Sequence, residues 1–283
     1  MKIAISTEST CDLNDELIQR YNIHTIAYSV ILGDEVVEDN PTVPKRIFEF
    51  VKKTNNLPKT SAINENQYRE YFSNLLKTYD AIVHITLSSN LTSSVAHCRA
   101  AAEKMKNVWV VDSLSLSSGI GLLAIYAAEL NNLGCSADEI AEKVTSRIPN
   151  IQASFVVDKL DYLYKGGRCN ALSYFGANIL KIHPQIVVKN GSMKPAKKYR
   201  GKMEKVIEQY CADTLAEFNN FDNTRAFITY TTATPAMITA AKAALSKAGF
   251  KEIYETNAGG TITSHCGENV LGILYLTSDK AWK

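Results

Sequence analysis

The first half of the chain repeats one local pattern: a short β-branched run, then a cluster of Ser, Thr and Asn, then residues at helical spacing. Residues 3–6, 81–87 and 108–111 are such runs, and their apolar character suits strands buried on both faces of a helix-covered parallel sheet. Asp12 is placed to cap a helix over residues 14–21, and Asn64 opens another that ends near Thr78. The hydroxyl-rich residues 88–94 precede an Ala-rich helix reaching Met105. Residues 29–38 alternate around Gly33-Asp34 like a hairpin, an excursion from the parallel sheet.

The second half reads differently. Strands are expected near residues 185–188, 225–231, 251–255 and 270–276, with long helices over 203–218 and 235–248. Asn190-Gly191 is a strong two-residue hairpin turn. At 283 residues the chain exceeds the usual single core. The expectation is an α/β protein of two domains: a parallel, layered α/β domain over residues 1–158, and an α+β domain with a mixed sheet over 159–283. The strand expected at 153–157 falls on the N-terminal side of that boundary.

Charge is nearly balanced, with 31 basic against 29 acidic residues, which argues against a broad electrostatic footprint for nucleic acid. The six cysteines, Cys11, Cys98, Cys135, Cys169, Cys211 and Cys266, form no C-x-x-C pair. Neither a disulfide framework nor a zinc site is expected, and reduced thiols fit a cytoplasmic protein. Residues 3–6 begin too soon after Met1 for a secretory signal to be expected. The longest apolar run, residues 120–128, is about half of a membrane span.

Several segments place hydroxyls or cations where a strand ends: Ser6-Thr-Glu-Ser-Thr10, Lys59-Thr-Ser61, residues 88–94, and Ser264-His265. In open α/β sheets ligands collect at the carboxyl ends of strands. Tyr162-Leu-Tyr-Lys-Gly-Gly-Arg168 adds a guanidinium on a glycine hinge, placed where strand gives way to helix, and an anion is its natural ligand. Each segment also has an ordinary reading as a cap or a solvated turn. His265-Cys266, if extended, would point to opposite faces and form no nucleophile–base pair. No Walker motif, H-E-x-x-H or G-x-S-x-G occurs. The hardware holds an anion and does little to transform one.

Taken together, Ile5-Ser-Thr-Glu-Ser-Thr-Cys-Asp-Leu13, Leu57-Pro-Lys-Thr-Ser61, Leu87-Ser-Ser-Asn-Leu-Thr92, Val110-Val-Asp-Ser113, Tyr164-Lys-Gly-Gly-Arg168, Lys198-Tyr-Arg-Gly201 and Ser264-His-Cys-Gly267 resemble the DegV family in order and spacing. The resemblance implies a two-domain fold that holds one long-chain fatty acid in a tunnel between the domains. It further implies the substrate-presenting subunit of a bacterial fatty acid kinase, with no catalytic residue, metal or cofactor of its own. Its partner would be the kinase's catalytic subunit, which makes an acyl phosphate for phospholipid synthesis, with an acyltransferase downstream and transient contact with a membrane surface.

Carried onto this sequence, the resemblance assigns the carboxylate site to Thr60, Ser61, Thr92, Ser93, Arg168 and His265. In the basic run 197–202, Arg200 and Lys202 are expected to face the partner. This chain departs from the family in several places: Glu8 stands where Asp is usual, and Ser93 replaces a glycine. Cys169-Asn170 and Glu268-Asn269 replace other common pairs. The competing reading is a stand-alone thioesterase or acyltransferase acting through Thr92, Ser93 or His265. A DNA-binding regulator, lacking a helix-turn-helix signal, ranks behind both.

Overall fold

The computed structural model describes residues 1–169 and 182–281. Strands β1 (Ile3–Glu8) and β6 (Ala81–Thr86) are buried at every position, as residues sealed on both faces must be. They form the centre of a parallel sheet of order β2-β1-β6-β7, flanked by β2 (Ile23–Ile26) and β7 (Val108–Asp112). Helix α1 (Asp15–Arg20) links β1 to β2. The side chain of Asn14 caps it by accepting the Leu17 N–H at 3.0 Å, so the expected cap at Asp12 is corrected to Asn14.

Between β2 and β6 the chain leaves the sheet. Strands β3 (Ser29–Leu32), β4 (Glu35–Glu38) and β5 (Lys59–Ser61) make a small antiparallel sheet of order β4-β3-β5, with the hairpin of the first two turning at Gly33. Val43 and Ile47 of α2 (Val43–Thr54) join Val30 and Leu32 in its own small core. Helix α3 (Glu65–Leu75), capped at Asn64 as expected, packs Tyr68 and Phe72 around His84 of β6. Helix α4 (Ser94–Ala102) lies beside it.

The apolar run 120–128 belongs to α5 (Ser118–Asn132), which is buried on nearly every side. A helix with no polar face needs cover all round. It finds β1 and β6 on one side, and on another β8 (Ile151–Val156) and β13 (Leu271–Thr277) of a second sheet. After α6 (Ala137–Arg147), that sheet takes the order β10-β9-β8-β13-β11-β12. Its other members are β9 (Ile182–Lys189), β10 (Ser192–Arg200), β11 (Phe221–Tyr230) and β12 (Glu252–Asn257). Only β11 and β12 pair in parallel. Asn190 and Gly191 both take the left-handed conformation that the β9–β10 hairpin turn requires.

Alternation along β13 serves two cores. Leu271, Ile273 and Tyr275 pack under α8 (Met203–Glu217) and α9 (Pro235–Ala248), while Leu274 and Leu276 join the core shared with α5 and the first sheet. The expected boundary at 158 needs correction on one point. Strand β8 lies before it in the chain yet pairs with β9 and β13, so by sheet membership it belongs to the second unit. An apolar strand does not announce which sheet it will join.

Two short helices complete the frame of the site: α7 (Asp161–Lys165), ahead of Gly166-Gly167, and α10 (Gly260–Cys266). The glycine pair therefore closes α7, and the helix that the sequence suggests after it would begin outside the described residues. Residue 265 is helical, which corrects the extended conformation considered for it. At the start of α10, Asp39 accepts the N–H groups of Gly260 and Thr261 at 2.6 and 2.9 Å, and Asp12 accepts that of Gly259 at 2.8 Å. Replacing Asp39 with Ala removes two of the three side-chain acceptor bonds at the start of this helix, leaving the one from Gly259 to Asp12, and should cost about 2 kcal/mol in urea unfolding. A loss below about 0.5 kcal/mol would show that α10 does not depend on this carboxylate.

Candidate functional site

Helix α10 delivers His265 to β5, where Nε2 lies 2.8 Å from Thr60 Oγ1. Burial first, and the nearby charge of Arg168 second, push the His265 imidazole down to about 4, so it is neutral near pH 7. A neutral imidazole has one N–H. Among the described residues its Nδ1 is enclosed without a hydrogen-bond partner, and it sits against Gly166, where an added Cβ would come within 2.6 Å of it. An enclosed N–H without a partner costs more than an unused acceptor, which favours the proton on Nε2. Nε2 then donates to Thr60, and the Thr60 proton is left for a ligand.

Thr92 is prepared in a similar way. Its Oγ1 accepts the Ser94 N–H at 3.1 Å and lies 3.3 Å from the Tyr28 hydroxyl. When Tyr28 donates to it as well, two donors on one hydroxyl oxygen leave its own proton to point elsewhere. Beyond Tyr28 lies the fully buried Glu8, with 3.4 Å between the Tyr28 hydroxyl and Glu8 Oε2. Ser93, the residue before α4, is exposed at the same cavity. The Arg168 guanidinium folds back onto the Gly166 carbonyl at 2.8 Å and remains exposed, acting on His265 through its charge.

Three cavities meet in a row at these residues. The outer one, ≈ 430 Å³, is polar and includes Lys59, Lys165 and Ser264. It shares Thr60, Arg168 and His265 with a second, ≈ 80 Å³, whose remaining wall includes Leu87, Leu91, Leu116 and Met193. Leu116, Ile262 and Cys266 are common to that cavity and a third of ≈ 30 Å³ among Phe155, Val270 and Leu274. Polarity thus falls from mouth to interior. The hydroxyls and the imidazole stand at the step.

Of the residues expected at a carboxylate, Thr60, Thr92, Ser93, Arg168 and His265 all border the second cavity, and Ser61 borders neither it nor the mouth. In β5 neighbouring side chains alternate, so Thr60 faces the cavity and Ser61 faces away, exposed. Asn170 lies outside the described residues. Arg200 and Lys202 are exposed and take part in none of the ion pairs among the described residues, whereas Lys197 pairs with Asp213 and Glu217. Among the described residues no cluster of His, Cys, Asp or Glu could hold a metal ion, and no helix is long and apolar enough to cross a membrane.

The model of the DegV family, described as that of an uncharacterised protein, matches residues 2–278. The chain belongs to the DegV family. It is 32% identical over 224 residues to a Thermotoga maritima chain named a fatty acid-binding protein, covering 76% of this chain and 78% of that one. The solved structure of DegV from Bacillus subtilis, described as a fatty acid binding protein, superposes with a TM-score of 0.83 at 28% identity, over 98% of this chain and 100% of that one. A DegV lipid binding protein from Thermotoga maritima gives 0.87 at 26% identity, covering 99% and 100%.

In this DegV protein, the residues that sequence reasoning passed over are Tyr28, Leu116 and Ile262, which carry no motif of their own. Glu8 lay in view as part of a hydroxyl-rich segment and as a departure from the family's usual Asp, with no role assigned to it. Nothing in the local sequence links Tyr28 to Thr92, since the contact spans the small antiparallel sheet. The site's electrostatics have a direct check by NMR titration of the His265 ring. Its midpoint should lie near pH 4, and Arg168→Gln should raise it by removing the charge that opposes protonation. A midpoint near 6.5 would mean that the ring is not enclosed in solution.

Proposed function

We propose that this chain binds one long-chain fatty acid, with its carboxylate at Thr60 and Thr92 and its tail running inward past Leu116 and Ile262. The observation that carries the reading is the step in polarity along the row of cavities, with two threonine hydroxyls left as donors at that step. The names of the Thermotoga maritima and Bacillus subtilis relatives point to the same ligand class.

Affinity in such a complex comes from the tail. Roughly fifteen methylenes at about 0.8 kcal/mol each supply on the order of 12 kcal/mol before the costs of immobilisation. The two inner cavities are far smaller than the ~300 Å³ that ligand pockets usually offer, so the tail enters by parting the side chains of Leu116, Ile262 and Met193. The head hydroxyls contribute position. They hold the carboxylate beside the polar mouth, where a second protein can reach it.

The finer reading is that the carboxylate is presented to the catalytic subunit of a fatty acid kinase, for acyl phosphate formation that feeds phospholipid synthesis. Arg200 at the end of β10 and Lys202 just before α8 would meet that subunit, as exposed cations with no ion pair among the described residues. A stand-alone hydrolase or transferase is the weaker reading. Thr60 and His265 form a hydroxyl–imidazole pair, but among the described residues Nδ1 has no carboxylate to orient it.

Organic extraction of the protein purified from cells, followed by mass spectrometry, should recover about one fatty acid per chain. Recovery of none, under conditions that keep the protein folded, would contradict the proposal. Thr60→Val and Thr92→Val should each weaken fatty acid affinity by about tenfold to a hundredfold, since each removes a hydrogen bond to a charged group. Arg200→Ala with Lys202→Ala should leave that affinity unchanged while reducing acyl phosphate formation by the kinase. An equal loss of both properties would remove these two residues from the partner surface.

A further inference from the structure

Glu8 is a fully buried carboxyl group that the proposed binding does not by itself require. It ends β1 at the point where the sheet order reverses, and its Oε2 accepts the Leu87 N–H from the end of β6 at 2.7 Å. The Tyr68 hydroxyl donates to Oε1, and Thr10 stands 3.4 Å from Oε2. Through Tyr28 the group reaches Thr92 by two links of 3.4 and 3.3 Å.

The surroundings of this carboxyl are acidic or neutral. On the turn after β1 they include Thr10 and Cys11; ahead of β3, Tyr28; on α3, Tyr68; and on α4, Cys98, with Ser94 acting on Tyr28. His84 of β6 lies edge-on to the Tyr68 ring and is kept neutral by burial. No cation forms an ion pair with Glu8 among the described residues, which is uncommon for a buried carboxylate.

The Tyr28 hydroxyl has one proton and two neighbours that can accept it. When Glu8 is ionised, the carboxylate takes that proton and Thr92 is free to turn its own toward Tyr28. When Glu8 is protonated, it donates to Tyr28, Tyr28 donates to Thr92, and the Thr92 proton is directed to the cavity. We propose that Glu8 is the positioning residue of the fatty acid site: it takes up a proton as the ligand carboxylate binds, and so sets the direction of the Glu8–Tyr28–Thr92 relay. Both links are long for O–H···O bonds, and a carboxylate accepting from Thr92 polarises and tightens them.

Burial, acting against the hydrogen bonds from Tyr68 and Leu87, raises the Glu8 carboxyl to about 7 in the free protein. A second negative charge at Thr92 raises it further. Between the free and the bound value the complex holds more protons than its parts, so affinity falls as pH rises through that window. Below about pH 7 Glu8 is already protonated and contributes no slope.

The inference rests on the proposed carboxylate position at Thr92, and its test separates the two. Delipidated protein is titrated with palmitate by calorimetry from pH 6 to 9, in buffers of different ionisation enthalpy that count protons. Above pH 7 the wild type should lose up to about tenfold in affinity per pH unit and take up as much as one proton per ligand. Glu8→Gln should lose both the slope and the uptake. Tyr28→Phe, which leaves Glu8 in place and breaks the relay, should lose most of each and serves where Glu8→Gln does not fold.

The ligand's own titration is common to all three proteins and cancels in the comparison. Equal slopes and equal uptake in all three would overturn the role of Glu8 while leaving fatty acid binding intact. No palmitate binding by the wild type would overturn the proposed function and this inference with it.

Discussion

At the start of α10, three successive backbone N–H groups, those of Gly259, Gly260 and Thr261, point at carboxylates that belong to the other end of the chain. Asp12 follows the first strand of the parallel sheet and Asp39 follows β4 of the small antiparallel sheet, so one helix terminus ties three parts of the molecule together. The free N–H groups of a helix start demand partners, and negative charge is favoured there. Burial, helped by the nearby charge of Asp39, pushes the Asp12 carboxyl up to about 8, with the Ser117 and Gly259 bonds opposing the rise. Through this junction His265, near the C-terminal end of the sequence, arrives at Thr60 on β5.

The site that follows is organised by where protons are left over. Neither threonine needs to be unusual. Thr60 has its oxygen occupied by an imidazole that burial keeps neutral, and Thr92 has its oxygen occupied by a backbone N–H and a tyrosine. Each hydroxyl then has one role left, as a donor to whatever anion enters. Placing these donors at the boundary between a polar mouth and an apolar interior suits a ligand with one charged end and a long hydrocarbon.

Much of this was legible locally. The cap at Asn64, the turn at Asn190-Gly191, the hairpin at Gly33 and the unbroken apolar strands depend on near neighbours in the chain, and the structure has them where the residues suggest. The misreadings share the opposite cause. Residues 260–266 contain Thr, Ile and Thr, which favour extension, and they become helical because distant aspartates cap them. Strand β8 has the composition of a parallel strand but joins the other sheet through β13, from the far end of the chain. Ser61 was counted with Thr60 because a motif does not show which way a pleat faces. Tyr28 carried no signal, since its importance comes only from standing between Glu8 and Thr92.

The central claim is that the two threonine hydroxyls fix a carboxylate at the head of an apolar channel. A crystal structure of the protein loaded with palmitate tests this most directly. The carboxylate oxygens should lie within hydrogen-bond distance of Thr60 Oγ1 and Thr92 Oγ1, with the alkyl chain passing between Leu116 and Ile262 toward Phe155. A carboxylate held elsewhere, or an alkyl chain that stays in the outer cavity and does not pass between Leu116 and Ile262, would contradict the account.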